Sequence, residues 1–220
     1  MNNNFKYIES YYDVTSIINF FNEINDPWSR NLITTDRSIY GIAGCSDVSL
    51  RLEIKHNPIH GLIEKLFKDF GDYGKLNIIP HLTSLRYQSY PFLPHSDISP
   101  DCSVIEYLRS VGAKKYLTFV IPLTWKENVH PGTAFFNSPP VLTENLYREH
   151  LDVLPHYTEK YQVEMSRYSV ADIIHWKNPG DLVMWEDFIF HSTTDHHTYE
   201  FSDNPERYSK SFLSIRTYVT

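Results

Sequence analysis

The sequence predicts a mainly β fold with flanking α-helices, a sandwich or barrel braced by helices, and three observations carry that expectation. Aromatic residues make up 15% of the chain and include 16 Tyr and 13 Phe, types that suit the pleated, half-buried surface of strands. From residue 81 onward, short β-rich runs separated by Pro, Gly and Asn follow one another, the pattern of an all-β sandwich or barrel. The first third holds instead two amphipathic helical patterns. At 220 residues the chain suits a single domain over 1–220, large enough to bury a core without disulfides or a structural metal.

Each element follows from its residues. Asp13 to Asn25 opens on a capping residue and places Ile17, Ile18, Phe20, Phe21 and Ile24 mainly on one face. Ile59 to Phe70 repeats the arrangement with Leu62, Ile63, Leu66, Phe67 and Phe70 before Gly71 stops it. Residues 1–80 therefore read as supporting helices and 81–220 as the β core. Strands are expected over Thr83 to Tyr90, Tyr116 to Leu123, Thr133 to Asn137, Asp181 to Trp185, Ile189 to Thr193 and Tyr208 to Val219. An insertion at about 139–178 interrupts them. Its segment Glu144 to Leu151 reads as a helix, of the kind that forms the rim of a site.

Charge and composition narrow the partners. A formal net charge of −7 disfavours nucleic acid, whose binding needs clustered Lys and Arg to displace counterions. Cys45 and Cys102 stand far apart, as two reduced thiols do in a cytosolic protein, and neither reads as functional. The amino-terminal residues lack an apolar secretory stretch, and no segment approaches the ~20 apolar residues of a membrane span. The expected location is cytoplasmic, away from membranes, with the oligomeric state open.

His95-Ser96-Asp97 carries the chemistry. Residues two apart on an extended chain point to the same side, so an imidazole and a carboxylate there can converge on one ion. Two imidazoles and one carboxylate on one face of an octahedron leave three positions vacant, which suits a non-haem iron that must take up substrate and O2. The triplet alone is weak, because roughly 0.7 such triplets arise by chance in this composition. A second one, His150-Leu151-Asp152, falls in the expected helix, where residues two apart diverge by roughly 200°. That geometry selects His95 and Asp97.

The surroundings add specificity. Leu85-Arg86-Tyr87-Gln88-Ser89-Tyr90 followed by Pro94-His95-Ser96-Asp97 resembles a core strand of the Fe(II)/2-oxoglutarate-dependent dioxygenase superfamily. Tyr116 to Leu123 and Pro131 to Phe136 resemble its next two strands. Asn178-Pro179-Gly180-Asp181-Leu182-Val183-Met184-Trp185, followed by His191, is similar to the family's Pro-Gly-Asp turn and the strand leading to the distal histidine. The resemblance covers residues 83 to 220. It implies a double-stranded β-helix, a cupin-like jelly roll, with Fe(II) held by His95, Asp97 and His191. It further implies 2-oxoglutarate as co-substrate and O2 as oxidant, with succinate and CO2 released.

The resemblance also implies a basic residue for the distal carboxylate of 2-oxoglutarate, followed two places later by Ser or Thr. Arg207-Tyr208-Ser209 fits that pattern, and a guanidinium suits it through paired charge-assisted hydrogen bonds. Arg207 lies 16 residues beyond His191, farther than is usual in the family, so Arg216 competes with it, and Lys210 more weakly. Tyr87, eight residues before His95, would face the same interior if the strand ran without a bulge, and could donate a hydrogen bond to the co-substrate. Pro91 and Pro94 interrupt that strand.

Other residues read more plainly. His196 and His197 suit a solvated loop, and Trp125, Phe135 and Trp185 suit barrel filling. The expected activity is a hydroxylase acting on a C–H bond of an amino acid, peptide or small metabolite. Asp97 supports this over halogenation, since related halogenases lack the carboxylate. A cupin-like metal-binding protein or isomerase without oxygenase activity is the alternative.

Overall fold

The computed structural model describes residues 5–23, 32–38, 41–47, 57–79, 82–88, 97, 103–127, 131–136, 170–186, 189–193 and 210–220. Its strands are β1 (Phe5–Ile8), β2 (Leu32–Ser38), β3 (Gly41–Asp47), β4 (Leu76–Ile78), β5 (Ser84–Gln88), β6 (Lys115–Trp125), β7 (Gly132–Phe136), β8 (Val170–His175), β9 (Leu182–Glu186), β10 (His191–Thr193) and β11 (Lys210–Val219). Its α-helices are α1 (Thr15–Glu23), α2 (Ile59–Asp69) and α3 (Ser103–Ser110). Among the described residues, one large sheet runs β1-β9-β6-β11-β5-β3-β2 with β4 also on β11, and a small sheet runs β10-β7-β8. Every described pairing is antiparallel. The chain is a jelly roll.

Strand alternation divides the residues of the large sheet between two cores. Leu117, Phe119 and Ile121 of β6, Leu182 and Met184 of β9, and Leu213 and Ile215 of β11 pack with Ile17 of α1 and with Ile59, Leu62 and Leu66 of α2. The intervening residues Val120, Val183, Trp185 and Phe212 meet Phe135, Ile174 and Trp176 from the small-sheet side. The inner cluster therefore lies between the two sheets, and the helices brace the outer face of the larger one.

Both anticipated helices form where the apolar spacing put them. Asp13 accepts the Thr15 amide at 3.0 Å at the start of α1, and buried Asn57 accepts the Ile59 amide at 3.0 Å at the start of α2. Three differences from the sequence reading stand out. Residues 1–80 contribute β1 to β4 as well as helices, and β1 pairs along β9 from Phe5 opposite Trp185 to Ile8 opposite Leu182. The four residues of β1 are too short for alternation to be legible without their partner. Val170 to His175, placed in the expected insertion, is β8 and pairs with β7. Helix α3 was not anticipated, and the expected helix over Glu144 to Leu151 lies outside the described residues.

The Pro-Gly-Asp turn ties the amino-terminal strand to the barrel. Gly180 has φ 83°, and a Cβ there would stand 1.9 Å from the Tyr12 carbonyl oxygen, so no other residue fits. Its amide donates to the Pro122 carbonyl at 2.9 Å while its carbonyl accepts the Tyr12 amide at 3.0 Å. The buried Asp181 carboxylate accepts from the Tyr7 hydroxyl at 2.5 Å and from the amides of Ser10, Lys177 and Asn178, each at 2.8 Å. Burial pushes the Asp181 pKa up, but these four donors prevail and hold it below the ordinary value.

Candidate metal centre

The inward face of the large sheet is read off in rows. On β11 the alternate residues Lys210, Phe212, Ser214 and Arg216 share one side. Arg216 is paired with Thr118 of β6, which is paired in turn with Trp185 of β9. An extra residue in β6, marked by a register shift between Ser211 and Phe212, bends that strand without changing the phase of β11.

Asp97 is brought to this row from outside the sheet. It sits in a bend, and its side chain is 5% exposed. Its Oδ2 accepts the Thr118 hydroxyl at 3.0 Å and the Trp185 Nε1–H at 3.0 Å, and pairs with the Arg216 guanidinium. Arg216 Nη1 also donates to the Thr118 hydroxyl at 2.6 Å, so Thr118 accepts from the guanidinium and donates to the carboxylate. Burial opposes the charge on Arg216, but Asp97 and Tyr116 beside it keep its pKa above the ordinary value. The Tyr116 hydroxyl is pushed up to about 12, chiefly by burial.

His191 opens β10 and faces the same point. It is 5% exposed. Its Nδ1 meets the Ile189 carbonyl at 3.0 Å, which assigns the proton to Nδ1 and the lone pair to Nε2, the arrangement that orients a metal-ligating imidazole. Nε2 lies 3.7 Å from Asp97 Oδ2, so the imidazole and the carboxylate converge on one point of the barrel interior. Burial lowers the pKa of His191 more than Asp97 raises it, which favours the neutral imidazole that a metal requires. Trp185 and Phe135 wall the ring at centroid distances of 4.4 and 6.5 Å.

At the start of β11 the sheet holds a different kind of group. Lys210 is 1% exposed, and its Nζ has no hydrogen-bonding partner among the described residues. The ammonium lies 4.6 Å from the Trp176 ring centroid and 5.8 Å from that of Phe212. Burial alone pushes its pKa down to about 7. Ser214, farther along the same face, also has a buried hydroxyl without a partner among the described residues. Buried polar groups are normally hydrogen-bonded, and these two, without a partner among the described residues, stand on one inner face of β11.

The structure thus brings together Asp97, His191 and Arg216 of the residues expected from sequence. His95, Arg207 and Ser209 lie outside the described residues, and among the described residues no group of three or more metal-type ligands occurs. Tyr87 is described by its backbone, paired with Ser211 of β11 and Gly44 of β3, in the register adjoining Leu85 opposite Leu213. Thr118 was read only as a strand residue and Trp185 only as barrel filling. The usable signal for Thr118 is a hydroxyl residue within the apolar run Tyr116-Leu117-Thr118-Phe119-Val120-Ile121.

No known family profile matches the chain, and no curated protein matches it. Solved structures do. The non-haem alpha-ketoglutarate-dependent carbocyclase SnoK from nogalamycin biosynthesis aligns with TM-score 0.53 and 13% identity, over 98% of this chain and 79% of that one. The epimerase SnoN from the same biosynthesis aligns at 0.47 with 13% identity, over 99% and 79%. Its complex with Fe3+, alpha-ketoglutarate and nogalamycin RO aligns at 0.48 with 14% identity, over 99% and 82%. The shared jelly roll rests on SnoK. No helix among the described residues is long and apolar enough to cross a membrane.

Proposed function

We propose that this chain is a non-haem Fe(II)- and 2-oxoglutarate-dependent oxygenase that oxidises a C–H bond of a small molecule, amino acid or peptide, with hydroxylation as the leading outcome. The observation that carries the reading is one barrel face holding both halves of such a site. Buried Asp97 and His191 face each other at 3.7 Å, and on the same face of β11 that bears Arg216 stands the ammonium of Lys210, without a hydrogen-bonding partner among the described residues. SnoK, whose fold this chain shares, is described as alpha-ketoglutarate-dependent and as a carbocyclase, so ring closure is an outcome this fold supports besides hydroxylation.

The donor set suits the groups. His191, Asp97 and His95 would hold Fe(II). Lys210 would hold the distal carboxylate of 2-oxoglutarate, with Ser214 as a further polar contact, and Arg207 and Ser209 remain candidates for the same carboxylate; Tyr87, paired with Ser211, has the register of Leu85 and Leu213 on the other face of the sheet. Bound iron, 2-oxoglutarate and O2 would together supply the oxidising power, with succinate and CO2 released. The chain's own part is placement. The contact from His191 to the Ile189 carbonyl fixes the ring, and Trp185 and Phe135 beside His191 and Trp176 and Phe212 beside Lys210 wall these buried groups from water.

Anaerobic titration with Fe(II) and then 2-oxoglutarate tests this. A visible metal-to-ligand absorption band is expected, along with succinate release once O2 and a substrate are supplied. Metal binding without the band would favour a cupin-like metal-binding protein or isomerase, and would overturn the oxygenase reading.

A further inference from the structure

The Asp97 carboxylate draws donors from a sheet to which its own backbone does not belong. Three groups from three adjacent strands reach the same oxygen of Asp97: the Thr118 hydroxyl of β6, the Trp185 indole N–H of β9 and the Arg216 guanidinium of β11. Thr118 is 0% exposed and Trp185 2% exposed, and both belong to the register row that also contains Arg216. Asp97 itself lies in a bend, where no ladder of backbone hydrogen bonds sets its side chain. Side chains of the sheet therefore contribute to its orientation.

We infer that Thr118, Trp185 and Arg216 are positioning residues that clamp Asp97 for the metal, and that Arg216 serves this clamp instead of binding the co-substrate. The inference rests on the proposed role of Asp97 as a metal ligand. Two features set Arg216 apart from a co-substrate anchor. Its guanidinium is already engaged by Asp97 and by Thr118 at 2.6 Å, so recruiting it for an incoming carboxylate would break a buried ion pair. Six residues earlier on the same face, Lys210 offers an ammonium without a hydrogen-bonding partner among the described residues. The division of labour is metal ligand support at one end of β11 and anion capture at the other. A neutral donor such as the indole N–H adds orientation without adding charge, which suits a carboxylate that must still face a cation.

The test uses Co(II), whose visible absorption reports coordination, titrated anaerobically into the full chain with calorimetry alongside. T118V and W185F each remove one neutral donor and keep the shape. Each is expected to weaken Co(II) binding by about 10- to 100-fold and to alter the Co(II) spectrum. Unchanged affinity and spectrum in both variants would overturn the clamp. Failure of the wild-type chain to bind Co(II) or Fe(II) would instead overturn the metal reading itself. R216Q separates the two roles of the guanidinium. In Co(II)-loaded R216Q, 2-oxoglutarate affinity is expected to stay within tenfold of wild type, and a greater loss would make Arg216 a co-substrate ligand.

Discussion

Replacing Lys210 with Met should make the ligand-free protein more stable and at the same time deprive it of 2-oxoglutarate binding. Burial moves the lysine pKa from 10.5 to about 7, which at ~1.36 kcal/mol per pKa unit caps the penalty on the charged form at about 5 kcal/mol. The indole face of Trp176, 4.6 Å from Nζ, and local relaxation offset part of this, leaving a gain of about 2–4 kcal/mol for K210M. For a domain of this size that corresponds to a rise in Tm of roughly 5–15 °C. The pH dependence has a definite sign. The unfolded chain keeps the lysine proton up to its ordinary pKa of 10.5, whereas the folded chain releases it above about 7. The unfolded state thus binds more protons between those values, so wild-type stability rises as pH climbs from about 7 toward 10.5. K210M should remove that slope. Thermal and urea unfolding at pH 7 and pH 9, with and without Mn(II) and 2-oxoglutarate, measures all of this. Ligand at a hundredfold excess over Kd should add about 2.7 kcal/mol to wild type and nothing comparable to the variant. A K210M protein that is less stable than wild type, or that keeps its 2-oxoglutarate-dependent stabilisation, would refute the reasoning.

Other perturbations probe the same interior. If Lys210 holds the distal carboxylate, 2-oxoglutarate binding needs its ammonium form, so affinity should be flat below pH 7 and fall about tenfold per pH unit above it; calorimetry in buffers of different ionisation enthalpy should show proton uptake at pH 8. Asp97→Ala should abolish iron binding and turnover, and should also lower stability by about 3 kcal/mol, because Arg216 is then left buried without its carboxylate. Adding Arg216→Met to Asp97→Ala should restore that stability in chemical denaturation without restoring iron. Asp181→Ala should destabilise the fold by about 3 kcal/mol by leaving four donors without their acceptor. The wild-type contribution of Asp181 is present above the ordinary carboxylate pKa of 3.8 and lost as pH falls through the lower folded value, so acid unfolding curves of the two proteins should converge at low pH.

The amino-acid order alone determined the fold class, because it depends on local periodicity. Apolar residues at helical spacing mark α1 and α2, and short β-rich runs bounded by Pro, Gly and Asn mark β5, β6, β7, β9 and β11. Pro179-Gly180-Asp181 was legible through its resemblance to the family's turn, and the positive φ of Gly180 with the Asp181 carboxylate among backbone amides is the physical reason those residues stand there. Asp97 and His191 were legible as metal-type residues in a recognisable strand context, and they meet at 3.7 Å. Tertiary structure alone decided how β1 and β8 join the sheets, because a short strand acquires its identity from the partner it pairs with. It also decided which cations are spent and which are not. Arg216 and Lys210 are both basic residues on one strand face, and the register of β11 against β6, with Asp97 folded back over Thr118, leaves the first paired with a carboxylate and the second buried without a hydrogen-bonding partner among the described residues. Burial and pairing are sums over neighbours distant along the chain, and no local pattern of residues encodes them.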